Sequence, residues 1–157
     1  MFTKQGRLIE ALEATEKAIK VNPANGDAWY CKGYILGEMG KLQKAMSSYD
    51  KAIALKSKLL AFAWINKGNI LGEIGKLHEA IEAYDEAIKP KKLNIFDTKD
   101  ADAWYNKAVI LKKMGRNEEA QRAYNKSIKL RRQLERLLHP ITEETGPAAK
   151  TDEHIKK

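Results

Sequence analysis

Apolar residues recur along most of the chain at helical spacing, in short runs separated by breaks that carry a glycine or polar residues. Trp64, Ile70, Leu71 and Ile74 form one such set and Leu77, Ala80, Ile81 and Tyr84 the next, with Gly75 between them. This spacing predicts two amphipathic helices joined by a tight turn. The glycine ends the first helix because it tolerates the left-handed conformation that such a turn requires. One helical hairpin cannot bury its own apolar face, so several copies are expected to stack and share a core.

The same hairpin is written three times. Trp29, Trp64 and Trp104 each precede a small residue four positions on (Gly33, Gly68, Ala108) and then a leucine (Leu36, Leu71, Leu111). A glycine follows (Gly40, Gly75, Gly115), then an alanine (Ala45, Ala80, Ala120), and a tyrosine closes each copy (Tyr49, Tyr84, Tyr124). The small residues let the two helix backbones approach, and the aromatics fill the wedges between pairs. Gly6, Leu8, Ala11, Ala18 and Pro23 match the second half of a further copy, which predicts an orphan helix over about residues 7–21.

In this order and period the chain resembles the tetratricopeptide repeat family. The resemblance implies an all-α fold, a right-handed superhelical array of antiparallel helix hairpins. The expected domain covers residues 1–138, with repeats at about 26–59, 61–90 and 101–132. The first two tryptophans lie 35 apart and the last two 40 apart, against a family period of about 34. Most of the excess falls in residues 91–99, where Leu93, Ile95 and Phe96 are too apolar for a freely solvated linker and predict a docked loop. Pro90 stops the helix before this insertion, and Asp100 is the expected N-cap after it.

Family arrays hold an extended or helical peptide in the concave groove lined by their first helices. By register, the resemblance places Tyr30, Tyr34, Phe62, Ile65, Asn66, Asn69, Tyr105 and Asn106 there. The amides can each donate and accept, which suits a peptide backbone, and the aromatics offer rigid apolar area. One subset of the family clamps acidic chaperone tails with lysine, arginine and asparagine side chains. Its positions are held here by Tyr30, Tyr34, Asn66, Asp102 and Asn106; only Asn66 matches, so that clamp is not expected. Lys32, Lys67 and Lys107 stand three after each Trp, where the family usually has leucine. Their stems are expected to lie along the packed helices while the ammonium groups reach water, without a ligand role.

The ends differ from the middle. Positions facing the next hairpin are apolar in the earlier second helices (Leu8 and Leu12, Leu42 and Met46, Leu77 and Ile81) but become Asn117 and Gln121 in the last. A polar outer face suits a terminal repeat. The final helix continues to residue 138 with Leu130, Leu134, Leu137 and Leu138 at helical spacing, either as an extension or as a cap folded back. With Ala11 and Thr15 of the orphan helix, these leucines are the candidate contacts of a homo-oligomer. Residues 139–157 are polar, lack periodicity and are expected to be disordered.

Composition alters this picture little. The chain of 157 residues is 43% apolar and 32% charged, and its net charge is +8. The excess is split among separated patches and residues 61–87 are net acidic, so nucleic-acid binding is the weakest of three readings. No run approaches the ~18 apolar residues of a membrane span. The start lacks an apolar signal region, and a cytoplasmic location follows as the default. One cysteine, Cys31, excludes an internal disulfide, and His78, His139 and His154 have no partners at catalytic or metal-ligand spacing. The expectation is a non-catalytic interaction module without cofactor or metal, binding a protein or peptide; the alternative is a self-assembling structural protein.

Overall fold

A computed structural model describes residues 4–89 and 98–138. Among them are seven helices: α1 (Lys4–Val21), α2 (Gly26–Glu38), α3 (Leu42–Ala54), α4 (Leu60–Glu73), α5 (Leu77–Ile88), α6 (Thr98–Lys113) and α7 (Asn117–Leu138). The pairs α2–α3, α4–α5 and α6–α7 form the three hairpins, and α1, α3 and α5 each pack on the first helix of the next hairpin. The result is an all-α solenoid. Helix α4 also touches α6 directly, so the first helices form a layer of their own. At Gly72 the Ile110 side chain fills the space beside the backbone, with its Cδ1 2.7 Å from where a Cβ would lie.

The turn inside each hairpin follows from one glycine. Gly40, Gly75 and Gly115 have φ of 71°, 81° and 75°, and an added Cβ would meet nothing within 4 Å, so conformation and not space selects glycine there. In each case the next residue's N–H reaches back five positions, Lys41 to Leu36, Lys76 to Leu71 and Arg116 to Leu111, at 2.8–2.9 Å. This closes the first helix and aims the second back along it. Between the first two repeats Lys56 performs the same task with φ 50°, and Ser57 N–H bonds Ala52 O at 3.0 Å.

Helix α2 is capped by Asn25, whose side chain accepts from the Asp27 and Ala28 N–H groups at 3.1 Å each. Asp27 in turn accepts from Ser57 Oγ at 2.6 Å and Lys58 N at 2.9 Å, tying the start of repeat one to the joint before repeat two. Helix α6 begins at Thr98, so Asp100 lies in its first turn and is not its N-cap. The core runs through the stack in two clusters, one around Tyr49 and one around Tyr84, and Met46 packs against both.

The ends are open in different ways. Helix α1 starts at Lys4, earlier than its sequence pattern suggests, and has no fully buried residue; Leu12 packs on the first cluster. Ala11 and Thr15 are half-buried, and Thr15 Oγ1 bonds Ala11 O at 2.8 Å within the helix. At the other end α7 runs unbroken to Leu138 and does not fold back. Leu130 and Leu134 are half-buried, whereas Leu137 and Leu138 are exposed. Of the insertion at 91–99, Thr98 and Lys99 belong to α6; residues 91–97, with the docked loop expected of Leu93, Ile95 and Phe96, lie outside the described residues, as do Pro90 and the tail at 139–157.

Candidate functional site

The positions assigned to the concave layer come together on α2, α4 and α6, but with two kinds of behaviour. The aromatics split first. Tyr30 is half-buried, its ring 5.9 Å from Tyr49 and 6.2 Å from Phe62, so these rings form one cluster across the first two repeats. Tyr34 and Tyr105 are 52% and 41% exposed, and Val109 beside Tyr105 is exposed as well. Ile65 is 7% exposed and belongs to the main core. It offers no surface to a partner, because its place on α4 faces the packing layer.

The amides are engaged with each other and with the tyrosines. Asn66 Nδ2 donates to Tyr30 Oη at 3.4 Å, between repeats one and two. Tyr84 Oη donates to Asn69 Oδ1 at 2.8 Å, and Asn106 Nδ2 donates to the same oxygen at 3.0 Å, between repeats two and three. Asparagines at the second position after Trp therefore reach back to the preceding repeat. Burial pushes the Tyr84 hydroxyl up to about 12. It also raises Tyr49 and Tyr30, in both cases against the lowering effect of a hydrogen bond with Asn66. These hydroxyls stay protonated at neutral pH, where Tyr84 donates to Asn69 and Tyr30 accepts from Asn66. Much of the amide capacity expected to hold a peptide thus holds the concave surface together.

On the opposite side of the same helices lies a motif whose full extent the sequence pattern did not reveal. Lys32, Lys67 and Lys107 place their ammonium groups 5.6, 5.2 and 5.4 Å from the ring centroids of Trp29, Trp64 and Trp104. Each also pairs with an acid on the preceding repeat's second helix: Lys32 with Glu16 at 2.8 Å, Lys67 with Asp50 at 2.6 Å, and Lys107 with Asp85. The lysine side chains are only 17–23% exposed. The stems do lie along the helices, but the heads, expected to reach water, are instead clamped between an aromatic face and a carboxylate. The signal was present: the three acids follow Thr15, Tyr49 and Tyr84 directly.

Repeat three departs from its neighbours. Gly33 and Gly68 let the Tyr49 and Tyr84 rings lie against the first helix, since a Cβ at either would be 2.7 Å from a ring carbon. Ala108 occupies that position in repeat three, and among the described residues no further hairpin covers the site. Tyr124 is 42% exposed, against 2% for Tyr49 and Tyr84, and stands 6.2 Å from Tyr105. The two rings, with Ala108, Val109, Ala120 and Gln121, border an open pocket of about 400 Å³. Asp102 accepts from Arg131 at 3.1 Å, and that guanidinium lies 5.5 Å from the Tyr105 centroid. The charge that would oppose an acidic ligand is therefore locally balanced.

Repeated hairpins, left-handed glycine turns and stacked cores define a helical repeat protein. Tetratricopeptide repeat profiles match residues 14–46, 63–89 and 101–134, and the chain is a tetratricopeptide repeat protein. No curated protein matches it in sequence. Its fold is similar to a solved structure of MamA, with a TM-score of 0.69 and 23% identity over 82% of this chain and 71% of that one. A second MamA structure gives a TM-score of 0.67 and 21% identity over 89% and 70%. BtubC (BKLC) from P. vanneervenii gives a TM-score of 0.72 and 16% identity over 97% and 65%. At these identities the likeness is one of fold.

Proposed function

We propose that this chain is a non-catalytic interaction module that holds a peptide segment of a partner protein on its concave layer, and that aromatic side chains supply most of the contact. Membership of the tetratricopeptide repeat family supports the interaction role in general. The observation that carries the finer reading is the contrast on that layer. Asn66, Asn69 and Asn106 are bonded to neighbours, whereas Tyr34 and Tyr105 leave large parts of their rings in water. Rigid, half-exposed tyrosines are favoured anchors because burying them fixes few torsions.

Selection of a displayed random peptide library on the full chain tests this. Enriched peptides should share a motif, and Tyr34→Ala and Tyr105→Ala should each weaken the best of them by about 1–3 kcal/mol. Melting should change little in Tyr34→Ala, whose ring is 52% exposed, and more in Tyr105→Ala, which also gives up the Tyr124 and Arg131 contacts. Failure to enrich any motif, or full affinity in both variants, would show that the concave aromatics are not the binding surface.

A further inference from the structure

The end of the array at α7 carries its own recognition logic and borders the concave layer at Tyr105. The two joints between full hairpins are built from the same parts. The second helix offers a tyrosine followed by an acid, Tyr49–Asp50 and Tyr84–Asp85, and the incoming first helix supplies a buried alanine before its Trp (Ala63, Ala103) and a lysine three after it. Helix α7 repeats the shape but not the charge. Tyr124 stands at the tyrosine position and Ile128 at that of Ile53 and Ile88, while Asn125 replaces the acid and accepts from Gln121 Nε2 at 2.9 Å. Beyond Asn125, the α7 surface is bordered by Lys129, Arg132 and Arg136. A helix of the internal kind, docking here, would bring its lysine to a cationic surface that lacks the carboxylate.

We propose that the α7 end face is a docking site for one amphipathic helix of a different protein, with a small residue crossing Tyr124 and a glutamate or aspartate where the internal joints place lysine. The Tyr124 pocket receives the apolar seam, and the α7 cations receive the carboxylate. The same charge change discourages this chain's own first helices from adding in trans, because α2, α4 and α6 all bring lysine to that point. Complementary charge thus selects the partner, while shape is shared with every other joint. Tyr105 of the concave layer also lines the Tyr124 pocket, so the charge reversal at Asn125, which lies outside that layer, is what distinguishes a result here from one on the concave layer.

The test uses the full chain and two stapled, fluorescent peptides with the sequence of α4, one native and one carrying Lys67→Glu. The glutamate peptide should bind about tenfold more tightly than the lysine peptide. Asn125→Asp, an exposed substitution that leaves the fold intact by circular dichroism, should reverse that order. Tyr124→Ala should weaken both peptides. Equal binding of the two peptides, or an order unchanged by Asn125→Asp, would overturn the proposal. So would self-association of the unmodified chain in sedimentation that Tyr124→Ala abolishes, since a second copy would then cover the face.

Discussion

Replacing Gly68 by alanine should destabilise the protein, although alanine is the better helix former. Gly68 lies inside α4, where glycine costs about 1 kcal/mol relative to alanine. Propensity alone therefore predicts a gain. Against it stands the Tyr84 ring: a Cβ at Gly68 would be 2.7 Å from Cε1 and 3.0 Å from Cδ1 and Cζ, when ordinary contact begins at 3.4 Å. The ring or the helix must move by the difference, 3.4 − 2.7, or about 0.7 Å. Tyr84 is 2% exposed and its hydroxyl is bonded to Asn69 on the same helix, so the ring cannot slide outward without losing that bond. Overpacking of this kind costs about 1–3 kcal/mol, and a lost hydrogen bond about 1 kcal/mol more. After the helix gain the net loss is about 1–3 kcal/mol, roughly 2–4 °C of melting temperature per kcal/mol.

Urea denaturation followed by circular dichroism reads this directly, as a lower midpoint at unchanged slope. The reverse substitution makes a control. Ala108→Gly in repeat three should also destabilise, by about 1 kcal/mol, because Tyr124 stands exposed and gains no seat. If Gly68→Ala is as stable as the unmodified protein or more so, the tyrosine does not rest on the α4 backbone and the wedge argument fails.

Two further outcomes are expected. Lys56→Gly should stabilise the protein by about 0.5–1 kcal/mol, because Lys56 holds a left-handed φ of 50° that glycine adopts without cost; a lower urea midpoint would refute this. The folded Tyr84 hydroxyl titrates near 12 against an ordinary 10, so it favours folding fully below pH 10, and that contribution, about 2–3 kcal/mol, is lost as pH rises from 10 to 12. Absorbance at 295 nm should show fewer than the six tyrosines ionised at pH 11 while the helices persist, and complete ionisation there without unfolding would contradict the burial of Tyr84 and Tyr49.

The fold was legible because each repeat states its instructions locally. Gly40, Gly75 and Gly115 announce the turns, and the Trp-to-Tyr spacing fixes which faces meet. The concave assignment was legible only as register. Register places Ile65 and Asn66 side by side, yet the first belongs to the core and the second to the surface, and the difference of about 100° between successive helical residues decides it. That Asn69 accepts two bonds was not readable, because its donors come from residues 84 and 106, distant in sequence. The lysines show the same limit. Their period was visible, but their meaning depends on an acid in the previous repeat, and only the joint brings the two together.

This dependence on joints explains why the array can be uniform in shape yet distinct at its ends. Each ammonium contributes weakly by itself, since a partly exposed ion pair is worth about 0–1 kcal/mol and a cation over an aromatic face about 0.5–1. Apolar burial at alanines such as Ala63 and Ala103 supplies the larger share of cohesion, but almost any first helix could provide it. The charged pair is therefore better suited to choosing which helix docks than to holding it. At Glu16, Asp50 and Asp85 the choice falls on the chain's own lysine-bearing helices, in order. At Asn125 the carboxylate is withdrawn while Tyr124 and Ile128 remain, so apolar attraction persists without the native selection rule. Restoring the acid alone, by Asn125→Asp, should turn the end face back into an ordinary joint and promote addition of lysine-bearing helices, whereas neutral changes elsewhere on α7 should not.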